Sequence, residues 1–209
     1  DTVNRRGTLE TKLRHIRAGR AQIVIGTQML AKGHDFPGMS LVGIVDADQG
    51  LFSSDYRASE RLAQLVVQVA GRAGRAERAG EVLIQTHQPE HPLLQTLVLQ
   101  GYPAFAQALL EERRMARLPP HYPAAMVRAD SPKPEQAEAF LQEAAALLAD
   151  CEGVTPLGPV SAPMARRAGR YRFQMFVQAL SRPVLHAALD HLVAQLAERR
   201  TGRLRWSLD

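Results

Sequence analysis

Gln68-Val69-Ala70-Gly71-Arg72-Ala73-Gly74-Arg75 is the segment with the clearest capacity for chemistry. Gln68, Arg72 and Arg75 are four and three residues apart, so on a helix that continues through them they share one stripe. Gly71 and Gly74 remove side chains that would keep another surface at a distance. Two guanidiniums and an amide projecting together suit a crowded anionic group such as a nucleotide γ-phosphate, because the guanidinium fork makes paired, charge-assisted bonds to phosphoryl oxygens. The plainer use of an arginine-rich helix end is to complement the helix dipole or to form an ion-pair cluster. Leu62, Leu65, Val66 and Val69 repeat at helical spacing and direct the opposite face of this helix into a core.

The elements that must position this segment lie on both sides of it. Ile23-Val24-Ile25 is a short apolar run ended by Gly26, and Leu41-Val42-Gly43-Ile44-Val45 is another, ended by Asp46. With Glu81–Thr86 they read as buried strands over 22–25, 41–45 and 81–86. Helices are expected over 8–19, with Leu9, Leu13 and Ile16 on one face, and over 57–70. Strands alternating with helices imply an α/β fold with a parallel, doubly wound sheet, and such sheets bind ligands at the carboxyl ends of their strands. Thr27, Gln28, Lys32, His34, Asp35, Asp46 and Asp48 gather there. Two carboxylates such as Asp46 and Asp48 can bind Mg²⁺. The expected use here is structural: capping, or pairing with Arg57 or Arg61.

Helices are expected over 90–117, where Leu93, Leu94, Leu97 and Val98, then Phe105, Leu109 and Leu110, repeat at helical spacing. Leu118-Pro119-Pro120-His121-Tyr122-Pro123 then interrupts both helix and central strand. It sets an expected boundary between a first domain at 1–118 and a second at 119–209. The second reads as a strand over 124–129, a helix over 134–149 headed by Pro134, and a short, proline-interrupted edge strand over 155–161. A strand over 171–179 follows, with Tyr171, Phe173, Met175 and Val177 on one side, then a helix over 183–197 and a strand over 203–208. The order βαββαβ is a ferredoxin-like split βαβ unit. Between two of its strands, Arg166-Arg167-Ala168-Gly169-Arg170-Tyr171-Arg172 places four arginines beside an aromatic, which suits phosphate contacts and base stacking; a solvated hairpin turn is the alternative. Trp206, the only tryptophan, is expected in a core.

The chain has 209 residues and a net charge of +5, and all its basic residues except Lys12, Lys32 and Lys133 are arginine or histidine. That balance permits nucleic-acid binding without demonstrating it. Cys151 is the single cysteine, so no internal disulfide and no cysteine cluster for a metal can form, which fits a reducing cytoplasm. No apolar run is long enough to span a membrane and no secretory segment opens the chain, so a cytoplasmic location is expected. No G-x-x-x-x-G-K-[ST] phosphate loop and no acidic partner motif occurs. A nucleotide-hydrolysing motor needs both, so the expectation is the C-terminal part of a longer protein, holding half of an ATPase site and inactive alone.

GTQMLAKGHDFP, DADQGL, YRASERLAQLVVQVAGRAGR and GEVLIQT resemble the second motor lobe of superfamily 2 helicases. With LGPVSAPMARRAGRYRFQMFVQ and the closing RLRWSLD, the chain is similar along its whole length to the bacterial primosomal protein N′ family of replication-restart helicases. The resemblance implies a RecA-like parallel-sheet lobe followed by a ferredoxin-like α+β domain. It implies an ATP-dependent 3′–5′ DNA helicase that recognises stalled or branched forks and restarts replication by primosome assembly. Gln68, Arg72 and Arg75 match helicase motif VI, whose arginines reach the γ-phosphate during hydrolysis. Motif V falls on Thr27, Gln28 and Lys32, expected on the DNA backbone, and on Gly33 and Asp35, expected at the nucleotide. Arg166, Arg167 and Arg170 are expected on DNA. Arg182, with His186 one turn later, is expected to receive the acidic tail of single-stranded DNA-binding protein. ATP and Mg²⁺ are the implied cofactors, with zinc in the family's cysteine-rich region and no metal assigned to this chain. The implied partners are branched and single-stranded DNA, single-stranded DNA-binding protein, and primosome and helicase-loading proteins. Two other readings stay open: a RecG-like fork remodeller, and a non-catalytic DNA-binding or scaffold module.

Overall fold

The computed structural model describes residues 6–26, 40–71, 80–197 and 202–209. Its contacts divide the chain into two units, Asp1–Leu109 and Leu110–Asp209. The first unit runs α1 (Arg6–Arg17), β1 (Leu41–Ile44), α2 (Asp48–Leu51), α3 (Ala58–Ala70), β2 (Glu81–Ile84) and α4 (Pro92–Gln100), and helix α5 (Tyr102–Met115) begins within it. The division therefore falls inside α5, ahead of the proline run.

In α3 the buried positions are Leu62, Ala63, Val66 and Val69, the stripe that helical spacing requires. They pack with Ile44 from β1, Leu93 and Leu97 from α4, and Phe105 and Leu109 from α5. Pro92 opens α4, where its missing N–H costs no helical bond. Gly50 in α2 lies against α3 so closely that a Cβ there would stand 2.7 Å from Leu62 Cβ. β1 and β2 pair in parallel from Leu41 with Glu81 to Ile44 with Ile84. The ladder continues past their ends, with Gln85 N donating to Ile44 O and Ala47 N to Gln85 O.

The strand expected over 22–25 is not formed. Ile23 and Ile25 are 82% and 93% exposed, and no described strand pairs with them. A strand exists only through its ladder, and among the described residues this apolar run has no pairing partner.

The second unit continues with β3 (Ala124–Ser131), α6 (Pro134–Ala149), β4 (Val154–Arg167), β5 (Arg170–Ala179), α7 (Arg182–Ala197) and β6 (Arg205–Leu208). Its four-stranded sheet has the order β4-β5-β3-β6, antiparallel throughout. β5 lies between the two strands that α6 connects, which is the split βαβ arrangement. Along β3 every second residue, Ala125, Val127, Ala129 and Ser131, is buried. With Met175 and Val177 of β5 they form the sheet side of a core closed by Phe140, Leu141 and Leu148 of α6 and by Leu192 and Leu196 of α7. Trp206 of β6 packs at the edge of this core, its ring 6.0 Å from that of Phe140.

β4 is longer than the expected 155–161, because pairing with β5 resumes after register shifts and runs to Arg167 opposite Arg170. The two residues left between, Ala168 and Gly169, both have positive φ, 49° and 75°. That is a two-residue turn of the mirror-image type, whose twist matches the flanking strands. Pro156, Pro159 and Pro163 all lie in β4, an edge strand where a missing N–H is tolerated. Among the described residues no helix is long and apolar enough to cross a membrane.

Candidate functional site

In the first unit the polar groups converge just beyond the carboxyl ends of β1 and β2. Asp46 adopts a left-handed backbone, φ 57°. Its N–H donates to Gln85 Oε1 at 3.2 Å, and its carboxylate accepts from Gln49 Nε2 at 2.5 Å. Asp48, in the first turn of α2, accepts the Thr86 hydroxyl at 2.5 Å and the His87 backbone N–H at 3.0 Å. The ring Nδ1 of His87 lies 2.6 Å from the same carboxylate. The Thr86 hydroxyl first, then the His87 backbone N–H and ring, hold the Asp48 carboxyl down at about 2, against an ordinary 3.8.

This corrects the expected pairing of Asp46 or Asp48 with Arg57 or Arg61. Arg61 pairs instead with Asp55, whose carboxylate also accepts the Arg57 backbone N–H at 3.0 Å. Partial burial opposes ionisation of Asp55, but these two donors outweigh it and its carboxyl is lowered. Arg57 donates from Nε to the Tyr56 hydroxyl at 2.9 Å and lies over the Tyr56 ring. With both oxygens of Asp48 engaged by protein donors, Asp46 and Asp48 present no open carboxylate pair for Mg²⁺. Among the described residues no cluster of His, Cys, Asp or Glu is arranged to hold a metal ion. Thr86 and His87 were the residues that the sequence reading passed over. Their signal is position: they lie within three residues of Ile84, the last apolar residue of a parallel strand.

Gln68 is half-buried on α3. The helix ends at Ala70, and Gly71 keeps helical angles, φ −67° and ψ −5°, with its N–H bonded to Val67 O at 3.0 Å. Arg72 and Arg75 lie outside the described residues, as do Thr27, Gln28, Lys32, Gly33, His34 and Asp35.

In the second unit the basic segment is the β4–β5 hairpin. Arg166 and Arg167 are exposed at its tip, and the Arg166 guanidinium lies 5.1 Å from the centre of the Tyr171 ring. Arg170 differs from them. It forms an ion pair with Asp130, and its Nη2 donates to Asp130 O at 2.9 Å and to Arg203 O at 2.6 Å. Its donors brace the turn against β3 and the approach to β6, so it is not presented to a ligand as Arg166 and Arg167 are. Arg182 is exposed at the start of α7, with His186 exposed four residues on.

A parallel sheet with polar strand ends, followed by a βαββαβ domain, is the architecture of a second helicase lobe joined to a distinct C-terminal domain. Residues 4–77 match the family described as helicase conserved C-terminal domain, and residues 114–209 match the family described as primosomal protein N C-terminal domain. Across 212 aligned positions the chain is 46% identical to the replication restart protein PriA of Haemophilus influenzae, covering 100% of this chain and 29% of that protein. It is 38% identical to the PriA of Bacillus subtilis, over 92% of this chain and 24% of the relative. It is 39% identical to that of Synechocystis, over 85% and 22%. The chain belongs to the PriA family of replication restart proteins and spans less than a third of the length of these curated relatives.

Proposed function

We propose that this chain is the second motor lobe and C-terminal domain of an ATP-dependent 3′–5′ DNA helicase that recognises branched forks and restarts replication through primosome assembly. The observation that carries this reading is the similarity, over 100%, 92% and 85% of this chain, to three relatives named as replication restart proteins. Arg72 and Arg75, with Gln68 beside them, neutralise charge on the transferring γ-phosphoryl group, while Gly33 and Asp35 face the nucleotide. Thr27, Gln28 and Lys32 hold the DNA backbone, and Arg166 and Arg167 add a second contact on the hairpin, which Arg170 orients. The working division is a motor domain at 1–118 and a DNA- and partner-binding domain at 119–209. Single-stranded DNA-binding protein docks at Arg182, and helicase-loading proteins join the assembly. ATP carries Mg²⁺ with it, held by residues outside this chain. Any zinc of the family resides in a cysteine-rich region that one cysteine cannot supply.

The test is Arg75→Ala in the complete protein, with steady-state ATPase measured on saturating forked DNA. The expected outcome is a loss of turnover of roughly 10³-fold or more, with DNA affinity within a few-fold of wild type. Near-normal turnover removes Arg75 from the chemistry.

A further inference from the structure

On the sheet face opposite α6 and α7, strand alternation brings three arginines together that no motif connects. Arg128 and Asp130 are successive outward positions of β3. Asp130 stands opposite Arg172 on β5 and opposite Arg205 on β6. Arg128 stands opposite Ser207. These side chains line one cavity of about 180 Å³. That is smaller than the 300–1,000 Å³ usual for whole organic ligands, and it suits a single oxyanionic group.

The charge of the basin is unbalanced. Arg128 is paired with Asp209, and Asp130 is paired with Arg170. The four guanidiniums Arg128, Arg170, Arg172 and Arg205 thus meet only two side-chain carboxylates, Asp130 and Asp209. Among the described residues the side chains of Arg172 and Arg205 take part in no hydrogen bond or ion pair. Two surplus guanidiniums beside an open cavity are the donor set for a phosphate oxygen. The basin is also continuous with the hairpin, since Arg170 and Arg172 lie on the same face of β5, two residues apart, and Arg170 leads to Arg167 at the tip.

We propose that this basin, centred on Arg172 and Arg205, binds a backbone phosphate of a DNA strand that runs from the hairpin tip across the sheet face. The proposal rests on the reading of Arg166 and Arg167 as DNA contacts and extends it to a second, built site.

The experiment uses the 209-residue chain, a fluorescein-labelled oligothymidylate and a salt titration. Arg172→Gln/Arg205→Gln is expected to weaken binding about tenfold. It should flatten the slope of log affinity against log salt by about 0.7, the change that one lost phosphate contact on a single strand produces. Arg172→Lys/Arg205→Lys keeps the charge and should keep the wild-type slope. Equal flattening in both pairs overturns the proposal, because the fold rather than the charge has then been lost. Unchanged affinity and slope in the glutamine pair also overturns it. Arg166→Gln/Arg167→Gln, titrated in parallel, separates the two readings. Loss there with none in the basin pair overturns the basin alone, and the reverse supports the basin and overturns the hairpin contact. Inorganic phosphate is the source control. If it saturates the basin without displacing the oligonucleotide, the site is for free phosphate and the DNA track is overturned; displacement that the glutamine pair abolishes supports it.

Discussion

The two parallel strands of the first unit bury Ile44 alone, whereas β3 of the second unit buries every second residue from Ala125 to Ser131. Leu41 and Leu83, opposite neighbours of the buried side in β1 and β2, are 53% and 52% exposed. Met175 and Val177, by contrast, are wholly buried under α6 and α7. Among the described residues the first sheet packs one side against helices, and its polar groups collect past the strand ends, where Asp48 gathers Thr86 and His87. The second sheet has a complete apolar face, so its other face is free to carry charge, and its arginines appear along the strands. The lesson is that chemistry settles at the ends of a parallel sheet and on the face or hairpins of an antiparallel one.

The largest expected effect breaks or upholds this contrast directly. Met175→Ala should cost about 2–5 kcal/mol in urea unfolding followed by Trp206 fluorescence, since a fully buried methionine leaves a cavity. Leu83→Ala, at an exposed position, should stay within about 0.5 kcal/mol by far-ultraviolet circular dichroism. Equal losses would mean that the two sheets are stabilised alike.

Gly50→Ala sharpens the comparison from within the first unit. The added methyl would meet Leu62 Cβ, a group fixed to the α3 backbone and unable to swing away. The expected cost is about 1–3 kcal/mol, with the Trp206 transition unmoved because that tryptophan reports the second unit. A matching shift in Trp206 fluorescence would show that the units unfold as one.

The smallest effect concerns Asp48. Its carboxyl in the folded chain titrates at about 2, below the ordinary 3.8, so its contribution to stability is complete above the ordinary value. It is lost as pH falls from there through about 2. Asp48→Asn should therefore lie below wild type in urea midpoint at neutral pH, and the gap should close on acidification toward pH 2. A gap that stays constant over that window would place the effect in packing rather than in the ionised carboxylate.

Much of this fold was legible because its signals are local. α6 begins with a proline in its first turn and carries Ala137, Phe140, Leu141, Ala144 and Leu148 at helical spacing, so both its bounds and its buried face follow from the residues. β5 falls where alternation places it, and Met175 and Val177, which share one side, lie in the core, although Gln174 on the other side is buried as well. The failures are of pairing. Ile23-Val24-Ile25 has the composition of a strand, but composition cannot supply the neighbour. Asp48 finds its partners at residues 38 and 39 positions away, while the reading looked to the nearer Arg57 and Arg61. β4 was cut short at its prolines because a bulged edge strand tolerates what a regular one does not. The basin follows from pairing too: Arg172 belongs to the arginine-rich hairpin segment, but Arg128 and Arg205 come from two other strands and meet it only through the register.

The prolines of β4 have a further consequence. At 14 residues it is the longest strand described, it borders the sheet, and Leu157, Val160 and Met164 lie exposed along it. Such an edge would ordinarily invite a second copy to add a strand and start sheet-like aggregates. Pro156, Pro159 and Pro163 leave gaps in the row of donors that an incoming chain would need, and β6 at the other border is only four residues long. Neither border offers an uninterrupted template, so the chain can keep apolar side chains at its margin without growing edge to edge.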